Sequence, residues 1–174
     1  EIDCMFGTKE DFRKLCSEGK ERGIRILLDG VFNHTGSDSI YFNRKETYNS
    51  LGAFQSDKSE YYSWFNFLEY PNKYESWWGI DTLPAINEND PSYLEFIAGE
   101  KGIGTRWLRE GASGWRLDVA DELPDNFLEK FRKAVKQFDS EALIIGEVWE
   151  DASHKIAYGK RRHYFQGRQL DSVM

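Results

Sequence analysis

Runs of positive charge, long apolar segments and cysteines are all scarce in this 174-residue sequence. The net charge is −7, which argues against nucleic acid and anionic membranes as partners, since both attract basic surfaces. The short basic run at residues 160–162 is predicted to be a solvated helix face. No apolar run is long enough to cross a bilayer, and no hydrophobic signal segment opens the chain. We therefore expect neither nucleic acid nor a membrane as a partner.

The two cysteines do not have the spacing of a metal-ligand pair. Cys16 falls on the apolar face of a predicted helix, which favours a reduced, partly buried thiol. Reduced thiols are typical of a reducing compartment, so we predict a cytoplasmic location. The first residue is Glu1 rather than Met, and the earlier removal of a signal peptide stays open.

With 40% hydrophobic and 16% aromatic residues, the chain can bury one core, and its patterns alternate between helix and strand. A capping box at Thr8 starts a first helix, and Asp90 followed by Pro91 starts a second, whose middle is weakened by glycines. Continuous apolar runs predict strands buried on both faces. The remaining predictions are strands over 24–29, from about 113, over 142–149 and over 169–174, a helix over about 125–138, and a last helix capped by Asp151.

Three of the predicted strands end in acidic residues. Arg116 and Asp118 are two positions apart and so point to the same face, and Glu147 follows about one βα repeat later. Asp29 ends the first strand, so we expect three carboxylates at one level of a parallel sheet. A β/α barrel gathers the ends of all its strands, whereas a doubly wound sheet gathers ligands at one switch point. The pattern favours the barrel, although a purely structural Arg–Asp pair remains an alternative.

Residues 36–89 interrupt this alternation with an aromatic-rich segment. It holds nearly half of the aromatic residues and shows no clean helix or strand period. A long irregular segment within a compact domain is usually functional. We expect most of its rings to form a small core of their own, with Trp77 and Trp78 as the best candidates for facing a ligand such as a sugar.

Four stretches, in order along the chain, resemble motifs of the α-amylase family, glycoside hydrolase family 13. Asp29-Gly-Val-Phe-Asn-His34, Gly114-Trp-Arg-Leu-Asp118 and Glu147-Val-Trp149 are similar to its first three motifs. Trp78-Gly-Ile-Asp-Thr-Leu-Pro-Ala-Ile-Asn87 resembles the fifth motif in its neopullulanase, cyclomaltodextrinase and maltogenic amylase form, as does the ending Val119-Ala-Asp-Glu122. The resemblance covers essentially the whole chain.

The resemblance implies a retaining α-glycosidase and assigns roles to the matching residues. Asp118 matches the nucleophile and Glu147 the general acid/base, whose surroundings should raise its pKa so that it holds a proton. Arg116 would orient Asp118, and Asp29 would brace that arginine. The implied substrate-binding residues are Asn33, His34, Arg116, Trp149, Asp121, Glu122 and Trp78.

The same resemblance implies a central piece of the catalytic barrel. We predict an α/β fold, a partial (β/α)8 TIM barrel with about strands 3 to 6, because a whole barrel needs eight strands. Residues 1–174 would belong to one catalytic domain, with 36–89 as an insertion like domain B of the family. The family's fourth motif, with the third catalytic carboxylate, would lie after Met174, so this slice alone is expected to be inactive.

The implied function is hydrolysis of α-1,4 linkages in starch, pullulan, cyclodextrins or maltooligosaccharides, with α-1,6 linkages and sugar transfer left open. Ala85 and Ile86 stand where the neopullulanase pattern usually has Lys and Leu, so the preferred glucan is not fixed. No cofactor and no metal ligand are implied here, while a calcium ion and a homo-oligomeric state stay open for the parent protein. The alternative function is a non-catalytic scaffold or glycan-binding domain, which the presence of both Asp118 and Glu147 disfavours.

Overall fold

The computed structural model describes residues 2–174 and shows an α/β fold. The helices are α1 (Lys9–Glu21), α2 (Pro91–Ala98), α3 (Ile103–Arg109) and α4 (Asp125–Phe138). The strands are β1 (Leu28–Gly30), β2 (Phe67–Glu69), β3 (Lys73–Tyr74), β4 (Gly114–Leu117), β5 (Leu143–Gly146), β6 (Ile156–Ala157), β7 (Lys160–Arg161) and β8 (Ser172–Val173).

A four-stranded parallel sheet, in the order β1-β4-β5-β8, carries the polar strand ends. Gly114 starts β4 with φ of 150°, and a Cβ at this position would collide with the Leu143 carbonyl of β5, so the close pairing of these strands requires glycine. Leu117 pairs with Gly146, so Asp118 and Glu147 leave the sheet at the same level. Asp29 instead pairs with Arg116, two residues earlier than Asp118. The prediction of three carboxylates at one level is therefore wrong for Asp29.

One face of the sheet is covered by helices. Phe32, just after β1, packs against Trp115 of β4 and against Phe127 and Phe131 of α4, with ring centroids 5.3 to 5.8 Å apart. The opposite face carries the exposed Asp29 and the half-buried Arg116. The prediction that these strands are buried on both faces is therefore wrong, because no element within residues 2–174 covers the second face.

The predicted helix starts are confirmed. The Thr8 side chain and the Asp11 side chain each accept a hydrogen bond from the other residue's backbone N–H, which completes the capping box of α1. Asp90 caps α2 by accepting hydrogen bonds from the backbone N–H groups of Ser92 and Tyr93. The glycines predicted to weaken the second helix do divide it, into α2 and α3.

The segment after β5 differs from its prediction. Asp151 does not cap a helix; its Oδ1 accepts a hydrogen bond from the backbone N–H of Ser153 over 2.9 Å, in a local turn. The chain then forms an antiparallel hairpin of β6 and β7, with Tyr158 and Gly159 both at positive φ in its turn. Residues 160–162 are thus not a solvated helix face, and Arg162 is 3% exposed. The last predicted strand is present as β8.

The rings of the aromatic segment, residues 36–89, pack on one another as predicted, but they do not form a separate core, because Trp64 packs on Tyr93 of α2 and joins them to the core of the sheet and helices. Phe42 is fully buried and packs against the rings of Phe54, Phe65, Phe67 and Tyr74. Backbone hydrogen bonds link Thr35 to Pro84 and Ser37 to Thr82, so the segment leaves and re-enters at one place beside β1. The segment therefore lies over the strand ends.

Neither of the two cysteines forms a disulfide, and Cys16 is buried as predicted. No helix within the described residues has both the length and the apolar character needed to cross a membrane.

Candidate active site

One guanidinium stands at the centre of the polar strand ends. Arg116 Nη1 lies 2.7 Å from Asp29 Oδ1 and 2.7 Å from Asp118 Oδ1. Its Nη2 lies 3.0 Å from Glu147 Oε2. The hydrogen bond to Asp29, followed by the one to Asp118, raises the pKa of Arg116. One ion-paired cluster is thus formed by Arg116, Asp118 and Glu147, which we call the strand-end group. Asp29 contacts the arginine of this group.

The backbone also holds Glu147. Val119, directly after Asp118, has φ of 37°, and its N–H donates to Glu147 Oε2 over 2.9 Å. This hydrogen bond and the charge of Arg116 lower the pKa of Glu147, against the opposing effect of partial burial. The prediction that its surroundings raise this pKa is therefore wrong for this chain, because its nearest neighbours are a donor and a cation.

Asn33 and His34 lie in the loop after β1 and keep hydrogen-bonding groups unused. The His34 ring stacks on Trp77, with 5.2 Å between centroids, and its Nδ1 has no partner among the described residues. Burial lowers the pKa of His34, against the charges of Asp118 and Glu122. Asn33 is 4% exposed, and both of its side-chain polar atoms also lack a partner within residues 2–174. Both side chains therefore contain buried polar atoms without a hydrogen-bond partner in this part of the chain.

A row of aromatic rings links three loops around the strand-end group. Trp77 stacks on Trp78 at 5.4 Å, and Trp78 meets Trp149 edge-on at 5.7 Å. Because His34 stacks on Trp77, the row runs from the loop after β1 through the aromatic segment to the loop after β5. Trp78 is 67% exposed and Trp149 is 48% exposed, so both offer ring surface to a ligand.

Glu122 is tied to this row by two indole N–H groups. Trp77 Nε1 donates to Glu122 Oε2 over 3.0 Å, and Trp78 Nε1 donates to Oε1 over 3.1 Å. The neighbouring Asp121 is buried and pairs with Lys155 at 3.0 Å. Trp77, Trp78, Asp121 and Glu122, called the loop group below, line an open cavity of about 590 Å³.

Glu88 faces the same cavity in an environment unlike that of Glu147. Burial, reinforced by the charges of Glu122 and Glu75, raises the pKa of Glu88 to about 8. The described residues contain no group of three or more His, Cys, Asp or Glu side chains arranged to hold a metal ion. The cavity is therefore rich in carboxyl oxygens without forming a metal-binding cluster in this part of the chain.

The structure brings the residues expected from the sequence into two neighbouring groups. Arg116, Asp118 and Glu147 meet at the strand ends, while Trp78, Asp121 and Glu122 meet around the cavity, which Asn33 also lines. His34 links the two groups through Trp77, and Trp149 joins the second through Trp78. Sequence reasoning missed Glu88, Lys155 and Tyr158, which lie outside the matching motifs, and it assigned Arg162 to a solvated basic run.

Two carboxylates at the carboxyl ends of adjacent parallel strands, with aromatic rings alongside, form the type of site found in barrel glycoside hydrolases. The comparison with known families agrees: residues 1–174 match the family described as "Alpha amylase, catalytic domain". The chain belongs to this family, and the resemblance seen in the sequence motifs is confirmed.

The relatives include enzymes whose names refer to pullulan or to debranching. An amylopullulanase of Thermoanaerobacterium thermosulfurigenes is 44% identical over 171 residues, which cover 87% of this chain and 9% of that protein. Neopullulanase 2 of Thermoactinomyces vulgaris is 33% identical over 180 residues, covering 99% of this chain and 28% of that protein. The native debranching enzyme of Nostoc punctiforme superposes with a TM-score of 0.81 at 32% identity, covering 100% of this chain and 34% of that one. The chain thus spans about a third or less of each of these relatives.

Proposed function

We propose that the protein containing this chain is a retaining α-glucan hydrolase that cleaves α-1,4 linkages in starch, pullulan, cyclodextrins or maltooligosaccharides, with α-1,6 linkages left open. The observation that carries the proposal is the pair of carboxylates, Asp118 and Glu147, held by the single guanidinium of Arg116. The names of the amylopullulanase and neopullulanase relatives support this substrate class.

The positions of the two carboxylates at the ends of neighbouring strands support a retaining mechanism. Retaining enzymes place the two carboxyl groups about 5–5.5 Å apart, whereas inverting enzymes separate them by about 6.5–9.5 Å to admit a water. Neighbouring strands lie about 4.8 Å apart, and Asp118 and Glu147 leave neighbouring strands at one level. Their shared contact with Arg116 is consistent with the shorter separation.

Asp118 is proposed as the nucleophile. Its carboxylate attacks the anomeric carbon, and the bond from that carbon to the leaving oxygen breaks as Glu147 donates a proton to this oxygen. Glu147, now ionised, then takes a proton from water, whose oxygen attacks the anomeric carbon and releases Asp118. The excess of negative charge around Arg116 also stabilises the positive charge that develops on the sugar ring.

Glu147 must hold a proton for the first step, although Arg116 and Val119 lower its pKa in this chain. We propose that bound substrate supplies the missing effect, because a sugar ring over the strand ends removes water from Glu147 and so favours its neutral form. His34, Asn33, Trp149 and the loop group would bind the sugar through hydrogen bonds and ring faces.

We further propose that the chain is a slice of the catalytic barrel, containing about strands 3 to 6, with 36–89 as a domain B-like insertion. The uncovered sheet face with Asp29 and Arg116 supports this proposal, because the inner face of a complete barrel would enclose these side chains. The slice alone is expected to be inactive, since the family's third catalytic carboxylate is not among the motifs it contains.

The test is to incubate the full-length protein with γ-cyclodextrin and with pullulan, and to follow the products by proton NMR. Initial release of α-anomers is expected, and the faster substrate identifies the preferred glucan. Initial β-anomers would contradict the retaining assignment. Binding of both glucans without cleavage would instead support the glycan-binding scaffold.

A further inference from the structure

The loop that carries Asp121 and Glu122 is held by a buried arginine from the β6–β7 hairpin. Arg162 Nη1 donates to the Asp121 carbonyl over 3.0 Å, and Nη2 donates to the Leu123 carbonyl over 2.7 Å. Its Nε donates to Asp125 Oδ1 over 2.9 Å. All three nitrogens of the guanidinium are therefore used on the few residues that follow Asp118.

Two more hairpin residues contact the same loop. Lys155 Nζ lies 3.0 Å from Asp121 Oδ2 and 3.2 Å from the Trp149 carbonyl, so it joins the loops after β4 and β5. The Tyr158 hydroxyl donates to the Glu122 carbonyl. Together with Arg162, these residues form what we call the hairpin clamp.

Burial of the Arg162 guanidinium would destabilise the fold if its hydrogen bonds were not made. A buried guanidinium without partners costs several kcal/mol, whereas one with satisfied donors is tolerated. Arg162 is 3% exposed, and two of its donors meet backbone carbonyls of the loop after β4. The buried arginine and this loop conformation therefore stabilise each other.

The position of the clamp links it to ligand binding and not to stability alone. Lys155 and Tyr158 line the same cavity as Trp77, Trp78 and Glu122. The strand-end residues Asp118 and Glu147 are not part of this lining. Movement of the clamp would therefore act first on the loop group, whereas the sheet register holds the strand ends that carry Asp118 and Glu147.

We propose that Lys155 and Arg162 are positioning residues that hold Glu122 and its cavity for the sugar on the leaving-group side of the cleaved bond. This inference rests on the proposed function. It makes the hairpin a determinant of leaving-group and acceptor preference. The chemical step at the strand ends depends on it only weakly.

In the full-length protein, two substrates distinguish binding of the leaving-group sugar from the chemical step. Maltotriose places a sugar on the leaving-group side, whereas α-maltosyl fluoride places only a fluoride there. Lys155→Met and Arg162→Lys are expected to lower kcat/KM for maltotriose about tenfold, mainly through KM, since small misplacements of binding groups have effects of this size or more. The loss on the fluoride should be several-fold smaller, and transfer to added maltose should fall along with maltotriose cleavage.

Matched variants complete the design. Lys160→Met removes an exposed lysine of the same hairpin and should behave as wild type, and Lys155→Arg should restore maltotriose cleavage. If Arg162→Lys does not fold by circular dichroism, Lys155→Met decides alone. Equal losses on both substrates, or no loss, would overturn the inference. A wild-type protein that cleaves neither substrate would overturn the proposed function itself, and this inference with it.

Discussion

The strand-end group and the loop group are built in different ways. Arg116, Asp118 and Glu147 come from adjacent parallel strands, so the hydrogen-bond register of the sheet fixes their relative positions. Trp77 and Glu122 come from segments without regular strands, and side-chain hydrogen bonds between them set their geometry. On the proposed function, the sheet would therefore keep the proposed catalytic groups constant, while the loops, which vary more readily, would set what is bound.

The pKa values of two carboxyl groups, Glu147 at the strand ends and Glu88 at the cavity, are shifted in opposite directions. Glu147 has a cation and a backbone donor beside it, and its pKa is lowered. Glu88 faces other carboxylates in a half-buried site, and its pKa is raised to about 8. The charged form is thus favoured at Glu147 and disfavoured at Glu88.

The largest effect should come from changing the strand-end group at Asp118. In the full-length protein, Asp118→Asn keeps the size of the side chain but removes the proposed nucleophile, so kcat should fall by about 10⁴-fold or more, while glucan binding measured by calorimetry persists. Asp57→Asn, at an exposed position of the aromatic segment, is the matched control. Wild-type turnover by Asp118→Asn would place the nucleophile elsewhere.

Glu147→Gln should have a large effect that depends on the leaving group. Loss of a general acid costs about 10²–10⁴-fold on natural glucans, but a fluoride leaving group needs no proton. We therefore expect the rate of the first step on α-maltosyl fluoride, measured as fluoride release in a pre-steady-state burst, to be largely kept. A burst reduced as strongly as maltotriose cleavage would contradict the acid/base assignment.

The smallest effect concerns Glu88, which lines the same cavity as the loop group, and the pH dependence of stability. Glu88 has a pKa of about 8 in the folded chain and 4.5 as its ordinary value, so the folded state binds the extra proton between these values. The free energy of unfolding contributed by Glu88 therefore falls as the pH rises from about 4.5 to about 8.

Glu88→Gln should remove this loss and so be most stabilising at and above pH 8. Urea unfolding at pH 5 and pH 8.5 measures the difference, with the exposed Glu129→Gln of α4 as control. Parallel pH dependence of the wild-type and Glu88→Gln proteins would show that Glu88 is not held in its neutral form.

The strand-end group was accessible to sequence analysis because its information is local. The two-residue spacing of Arg116 and Asp118 fixes a shared face, and one βα repeat brings Glu147 to the next strand. The helix start at Asp90-Pro91 was equally predictable, since capping depends on a few adjacent residues.

The remaining features depend on contacts between distant segments. The lowered pKa of Glu147 arises from Arg116 and from the backbone turn at Val119, and neither effect can be read from the spacing alone. Arg162 was predicted to be solvated because its basic neighbours suggest a surface, yet its bonds to the loop after β4 bury it. The β6–β7 hairpin replaced a predicted helix because Asp151 satisfies a local turn.

Backbone hydrogen bonds at Thr35–Pro84 and Ser37–Thr82 hold the two ends of the aromatic segment next to each other. Since both ends are fixed there, the chain between them can lengthen or shorten without moving β1. Each doubling of a flexible loop costs only about 0.6 kcal/mol in closure entropy. Changes in the length or shape of the segment can therefore be accommodated without displacing the strand ends.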